Sequence, residues 1–358
     1  MQCPPKAGLL PLAALLLSAC GGGAASAPTA VPPPPPVVAD PAPDLSAVAA
    51  EVERHPVADM ALLVGDADGE LLRYEKGAFS VSEPVRLASA SKMLTGLAVW
   101  SLVERGALAE SDRVGDLVRV WDGGDARAEV TLEQLMSFTS GLNTSPSGQT
   151  CAGRMALALE ACVEIIHDGG LDTAPGTTFF YGPDQMQVAA WMAKTVTGEP
   201  LSETLRSHIL DSAGVGAETG FPRGPNARYS GSAQALPSDY GLVLRALLAG
   251  ELVEDVDGFT RVRTEGTVVG YQPVELDEAG LDWRYGFGFW VECGTVPFAP
   301  DCGTDPVISS AGARGTVPWV DFEAGYWAII AMDETRPPVS SSELQAVLQP
   351  MIRDALGR

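Results

Sequence analysis

The chain has 358 residues, with 46 Asp and Glu against 23 Lys and Arg, a formal net charge of −23 and 46% hydrophobic residues. A nucleic-acid-binding domain needs the opposite sign of charge, so that class of function is excluded. The hydrophobic content suits a well-packed soluble domain, and no segment is long and apolar enough to be a membrane-spanning helix.

At the N-terminus, Lys6 precedes an apolar run from Gly8 to Leu17 that is broken by Pro11 and too short to span a bilayer. The run ends in Leu17-Ser18-Ala19-Cys20-Gly21, which resembles a bacterial lipobox. On that reading residues 1–19 are a signal peptide and Cys20 is lipidated as the new N-terminus. An ordinary secretory cleavage site after a small residue is the alternative, and both predict export. Residues 20–45 are rich in Gly, Ala and Pro, with five consecutive prolines at 32–36, and cannot bury a core. As an extended tether at ~3.1 Å per residue they would reach on the order of 70 Å. The expected location is the periplasmic face of a bacterial membrane, the outer rather than the inner, with the lipid as the only membrane contact.

Residues 46–358 are enough for one large domain or two lobes. Met60–Gly65, Asp66-Ala67-Asp68-Gly69 and Glu70–Glu75 read as a hairpin with a Gly-bearing turn. From Ser89 to Val103 the sequence predicts a helix apolar on nearly every side, running through the core and closed by Gly106. Between about 107 and 280 the pattern is mainly helical, with helices over Thr131–Met136, Val188–Val196, Leu201–Leu210 and Tyr240–Leu248. Strands return at Tyr285–Val291, then in a hairpin of Gly315–Val320 with Tyr326–Met332, and an amphipathic helix covers about Ser342–Leu356. The expected fold class is therefore α/β of the α+β kind. A mainly antiparallel sheet, flanked by helices, is built from both chain ends (about 46–90 and 280–358), with an inserted all-helical lobe (about 107–280).

Cys3 leaves with the signal segment. Cys151 with Cys162 and Cys293 with Cys302 form two short-range pairs, read as local disulfides in an oxidising compartment because the other two pairings are less economical. The only histidines are His55, His167 and His208, none in a Cys/His cluster with zinc spacing, so neither a metal nor a cofactor is expected.

The chemistry-bearing stretch is Ser89-Ala90-Ser91-Lys92. A serine and a lysine three apart on a helix share a face, and a hydroxyl becomes a useful nucleophile only when a base takes its proton. The chain has 19 arginines but four lysines, Lys6, Lys76, Lys92 and Lys194. Where a cation alone is needed arginine serves, but a guanidinium does not lose its proton and a buried lysine can. Lys92 is accordingly the candidate base for Ser89.

Three segments fall in a meaningful order: Arg86-Leu87-Ala88-Ser89-Ala90-Ser91-Lys92, Ala174–Pro183 around Tyr181, and Ser309-Ser310-Ala311-Gly312-Ala313-Arg314-Gly315-Thr316 leading into a strand. Supporting segments are Leu132–Leu142, Pro237–Tyr240 and Tyr285–Trp290. Over residues 50–356 the chain resembles the serine β-lactamase-like superfamily, in the branch of class C β-lactamases, D-Ala-D-Ala peptidases and related serine esterases. The resemblance implies an active site between sheet and helical lobe. It makes Ser89 the acylated nucleophile, Lys92 the group sharing its proton, and Tyr181 a second base or the proton donor to the leaving group. The backbone N–H groups of Ser89 and Ala313 would form the oxyanion hole, with Ser310, Gly312 and Arg314 lining the substrate side.

Two positions depart from the family pattern. Pro183 stands where β-lactamases and peptidases usually have Asn, with Asp184 or Gln185 as nearby substitutes, and Ser310 stands where Lys or His is common. Both losses fall on recognition of β-lactams and D-Ala-D-Ala, which favours ester-type acyl transfer. The expected function is a serine hydrolase acting through an acyl-enzyme on Ser89, on an ester or amide of a small-molecule or peptide-like substrate, and a monomer is expected. Two alternatives stay open: a β-lactamase or D-Ala-D-Ala carboxypeptidase, and a catalytically silent cell-envelope binding protein. A His-dependent triad hydrolase is a weaker rival, because no Gly-x-Ser-x-Gly elbow occurs.

Overall fold

A computed structural model describes residues 42–142, 151–274, 276, 280–293, 298–299, 302, 306–334 and 341–358. The signal segment, Cys20 and the tether as far as Pro41 lie outside the described residues.

The chain enters with helix α1 (Ser46–Arg54) and the hairpin β1 (Met60–Gly65) and β2 (Glu70–Lys76), followed by β3 (Val85–Arg86) and the long helix α2 (Ser91–Glu104). The central part contains α3 (Val114–Leu117), α4 (Leu132–Met136), α5 (Leu159–Gly169), β4 (Thr178–Phe180), α6 (Asp184–Thr197) and α7 (Leu201–Leu205). It continues through β5 (Gln234–Ala235), α8 (Pro237–Leu248), α9 (Val256–Thr260) and β6 (Val268–Tyr271). The chain then returns to the sheet with β7 (Arg284–Tyr285), β8 (Trp290–Glu292), β9 (Val307–Ser309), β10 (Val317–Asp321) and β11 (Tyr326–Ala331), and a C-terminal helix spans Ser341–Ala355.

Seven strands form one sheet in the order β2-β1-β11-β10-β9-β8-β7, every pair antiparallel. An early strand and a late strand of the described chain pair directly, with Leu63 of β1 opposite Ile329 of β11. Alternation sorts the side chains between two faces. Met60, Leu62, Val64, Trp319, Tyr326 and Ile330 pack on the outer side against Val48 and Val52 of α1 and Leu344, Leu348 and Ile352 of the C-terminal helix. Ala61, Leu63, Val320, Trp327 and Ile329 face the main core. Both faces are covered, so β1 and β11 are buried along their whole length and read as continuous apolar runs.

Three features differ from the sequence expectation. The single strand expected over Tyr285–Val291 is a hairpin, because Gly286-Phe287-Gly288 turns the chain, with Gly288 at φ 93° and the Gly286 N–H bonded to the Phe289 carbonyl. The inserted lobe carries short ribbons, β3 with β5 and the parallel pair β4 with β6, among its helices. Helix α8, expected in that lobe, lies on the inner face of the sheet, where Gly241 leaves room for the Trp327 indole.

Candidate active site

Ser89 sits in a single 3-10 turn, Ala88–Ala90, that runs straight into α2. It thus precedes the helix proper, while Lys92 lies in the helix's first turn. Ala88 is held at φ 46°, a left-handed conformation that costs a non-glycine residue on the order of 1–3 kcal/mol. Lys92 Nζ lies 2.9 Å from Ser89 Oγ and donates to the Ser230 carbonyl at 2.8 Å. Burial, with repulsion from the Arg228 guanidinium, brings the Lys92 ammonium down from 10.5 to about 7. The burial follows from the sequence of α2, whose residues from Ser91 to Leu102 are all enclosed. Gly96 permits the closest contact, since a Cβ there would collide with the Phe287 carbonyl.

The loop 226–235 forms the opposite wall and is stitched to the nucleophile segment. The Leu87 N–H donates to the Ala233 carbonyl at 3.0 Å, and the Ala233 N–H donates to Ser91 Oγ at 3.1 Å. Thr95 Oγ1 donates to the Tyr229 carbonyl at 2.6 Å. The loop is fixed from its far side by Gln187 of α6, whose Oε1 accepts from the Tyr229 N–H at 2.9 Å. The Gln187 Nε2 donates to Asn226 Oδ1 at 2.8 Å and to the Ala227 carbonyl at 3.0 Å. Asn226 in turn donates to the Cys151 carbonyl at 2.9 Å, beside the Cys151–Cys162 pair. In both cysteine pairs the Cα atoms are 5.3 Å apart, the spacing of a disulfide.

Tyr181 follows β4 and reaches the same centre, with Lys92 Nζ 4.5 Å from its ring centroid. Its ring is boxed by Trp290, stacked at 5.6 Å, and by Phe138 and Tyr285, edge-on at 5.4 and 6.1 Å. Phe138, at φ 59°, also accepts the Phe180 N–H at 2.9 Å through its carbonyl. The segments Leu132–Leu142 and Tyr285–Trp290 therefore converge on Tyr181. From Pro237–Tyr240, the Tyr240 hydroxyl donates to the Ala90 carbonyl at 2.9 Å. Pro183 is the N-cap of α6. Gln185 is turned back, its Nε2 donating to the Phe180 carbonyl at 3.1 Å while its Oε1 is buried with no hydrogen-bond partner among the described residues. Asp184 is buried beside it in the first turn of α6.

The third segment closes over Ser89 from the end of β9. Ser310 Oγ donates to the Ser89 carbonyl at 3.0 Å, so its hydroxyl holds the backbone of Ser89. Gly312 is pressed against the same turn, where a Cβ would collide with the Leu87 carbonyl and stand 3.3 Å from the Ala90 nitrogen. Among the described residues neither the Ser89 N–H nor the Ala313 N–H donates a hydrogen bond, whereas those of Ala90, Gly312 and Gly315 do. Ser89 and Ala313 thus each keep an uncommitted backbone donor, the kind of group a developing oxyanion requires. Arg314 is ion-paired with Asp333, so its charge is already answered within the protein.

The structure thus gathers Ser89, Lys92, Tyr181, Ser310 and Gly312 at one place, with Ala313 following Gly312 in the chain, and turns Arg314 to an internal carboxylate. Sequence reading missed Ser230, Arg228, Gln187 and Asn226. Ser230 acts through its carbonyl, which no side-chain pattern announces, and the other three lie in segments without a motif. Neither rival histidine bonds to Ser89: His208 Nδ1 is 2.9 Å from Ser101 Oγ, and His167 packs edge-on against Trp121. Among the described residues no group of three or more His, Cys, Asp or Glu could hold a metal ion.

The family described as Beta-lactamase matches residues 46–349. The penicillin-binding protein PbpX of Bacillus subtilis (strain 168) is 26% identical over 220 residues, which are 58% of this chain and 54% of that protein, so the match spans about half the relative's length. Among solved structures, a β-lactamase from Bacteroides dorei DSM 17855 superposes with a TM-score of 0.76 at 22% identity, covering 88% of this chain and all of that one. EstCE1, a hydrolase with promiscuous acyltransferase activity, superposes with a TM-score of 0.67 at 16% identity, covering 87% and 97%.

Proposed function

The chain belongs to the β-lactamase family, and from that premise we propose that it is an exported serine hydrolase forming an acyl-enzyme on Ser89, with esters favoured over amides. The observation that carries the reading is the 2.9 Å contact between Ser89 Oγ and a lysine whose ammonium is lowered to about 7. With Lys92 neutral, the Ser89 hydroxyl gives its proton to Nζ as Oγ bonds to the substrate carbonyl carbon. The Ser89 and Ala313 N–H groups receive the oxyanion. As the tetrahedral centre collapses, the bond to the leaving alcohol breaks. Tyr181 passes that alcohol a proton and is reprotonated from Lys92. Water then attacks the acyl-Ser89 ester by the reverse route, with Lys92 taking its proton.

The ester preference is supported by Pro183, which offers no side-chain amide, and by Ser310, whose hydroxyl is committed to the Ser89 carbonyl. The hydrolase and acyltransferase description of EstCE1 is consistent with it. Cysteine pairs at disulfide spacing support export, with Cys20 as the proposed lipid anchor to a bacterial membrane. A β-lactamase or peptidase activity is the second reading, favoured by the penicillin-binding relative. The test is intact-mass detection of a fluorophosphonate adduct, together with turnover of a short acyl ester, a chromogenic cephalosporin and a D-Ala-D-Ala peptide. We expect one adduct in the wild type, none in Ser89→Ala, and turnover of the ester ahead of the other two. An adduct that persists in Ser89→Ala would overturn the assignment.

A further inference from the structure

Arg228 lies in the loop that carries Ser230, close enough to Lys92 for its charge to repel the ammonium. Its stem passes two glycines: a Cβ at Gly153 would stand 3.2 Å from Arg228 Cβ, and one at Gly231 would stand 3.5 Å from Arg228 Cδ and 3.7 Å from the Ala88 carbonyl. Gly231 thus stands between the Arg228 side chain and the turn that holds Ser89. Its Nε is buried with no hydrogen-bond partner, and no carboxylate pairs with its guanidinium among the described residues. Arg245, Arg261, Arg263, Arg314 and Arg353, by contrast, each hold a carboxylate. A chain with 46 acidic residues could readily have supplied one here. An unpaired, partly desolvated guanidinium beside a second cation is unfavourable until an anion arrives to accept its N–H groups.

We propose that Arg228 is a specificity-determining residue that binds a carboxylate carried by the acyl substrate of Ser89, a proposal that rests on the hydrolase reading above. The planar fork of a guanidinium matches the two oxygens of a carboxylate, and binding would satisfy the buried Nε. The net charge of −23 repels anions at long range, so retention of an acidic substrate needs a cation inside the site.

The experiment compares mono-4-nitrophenyl succinate with its neutral twin, methyl 4-nitrophenyl succinate, on the full chain. The quantity read is the ratio of their kcat/KM values, which cancels any effect of Arg228 on Lys92. In the wild type the acid ester should be preferred. Arg228→Gln should lower the ratio by about tenfold or more, the loss expected for a charged hydrogen bond, and Arg228→Lys should restore part of it. Calorimetric binding of both esters to Ser89→Ala, with and without Arg228→Gln, gives the same comparison without turnover. Absence of Ser89-dependent turnover of both esters counts against the hydrolase reading, while the binding ratio still decides the anion site. Equal binding of the two esters, or a ratio unchanged by Arg228→Gln, overturns the proposal.

Discussion

On the proposed reaction, the chemistry at Ser89 depends on one proton, which Lys92, 2.9 Å from its hydroxyl, is placed to accept. Burial is the larger cause of the fall to about 7 and Arg228 the smaller. Between about pH 7 and the ordinary 10.5, the unfolded chain holds a proton that the folded chain has released, so stability rises with pH across that window. Below about pH 7 the folded state bears the full cost of the buried charge, about 5 kcal/mol at ~1.36 per unit. Two outcomes follow for the ester reaction and for urea unfolding. The kcat/KM for a neutral ester should climb roughly tenfold per unit up to about pH 7 and then level, as the neutral amine becomes available. Lys92→Met should lose ~10²–10⁴-fold in rate, yet be the more stable protein at pH 7, with the advantage fading toward pH 10.

Elements set the positions that residues exploit. α2 presents Lys92 to the Ser230 carbonyl, and α6 holds the loop that carries Ser230 through Gln187. Gln187→Leu would leave the Tyr229 N–H, Asn226 Oδ1 and the Ala227 carbonyl without their Gln187 partner, at a cost of about 1–3 kcal/mol for each group left unsatisfied. Because the loop supplies the anchor of the base, kcat should fall more than KM rises. Urea unfolding and ester kinetics on the same variant check both parts. If kcat stayed at the wild-type value while stability fell, the network would be structural only.

Across the whole molecule the sheet joins the two chain ends, and one buried acid ties its far side to the C-terminal helix. Glu292 of β8 accepts from Gln345 and Gln349, each at 2.7 Å, and burial raises its carboxyl from 4.5 to about 7. The folded chain therefore keeps a proton between those values that the unfolded chain has lost, and stability falls as pH rises through that window. Above it the folded state bears the cost of a buried carboxylate, about 3 kcal/mol at ~1.36 per unit. Glu292→Gln should remove this slope and raise stability at pH 8 relative to pH 4.5. The Gln345 Oε1, buried without a partner, is available to accept the new amide after a flip. Thermal unfolding across pH reads the difference, and an unchanged slope would refute it. With Lys92 acting in the opposite sense above pH 7, these two groups together contribute least to stability near neutrality.

The sequence by itself determined what local pattern and covalent order can determine. Period-2 and all-apolar runs marked the hairpins at both chain ends and the central helix, because burial on two faces leaves little else in those stretches. Residue type and spacing marked Ser89 and Lys92, because few side chains can activate a hydroxyl, and the family resemblance carried by three ordered segments marked Tyr181. Folding alone set the Ser230 carbonyl against Lys92, spent Arg314 on Asp333, and left Arg228 near Lys92 with no carboxylate partner among the described residues. Gly286-Phe287-Gly288 turns with Gly288 at φ 93° and close against the α2 backbone, where a Cβ would stand 2.9 Å from the Lys92 carbonyl. Backbone acceptors, charge partners and close approaches arise from segments far apart in sequence, and no local pattern encodes which of them will meet.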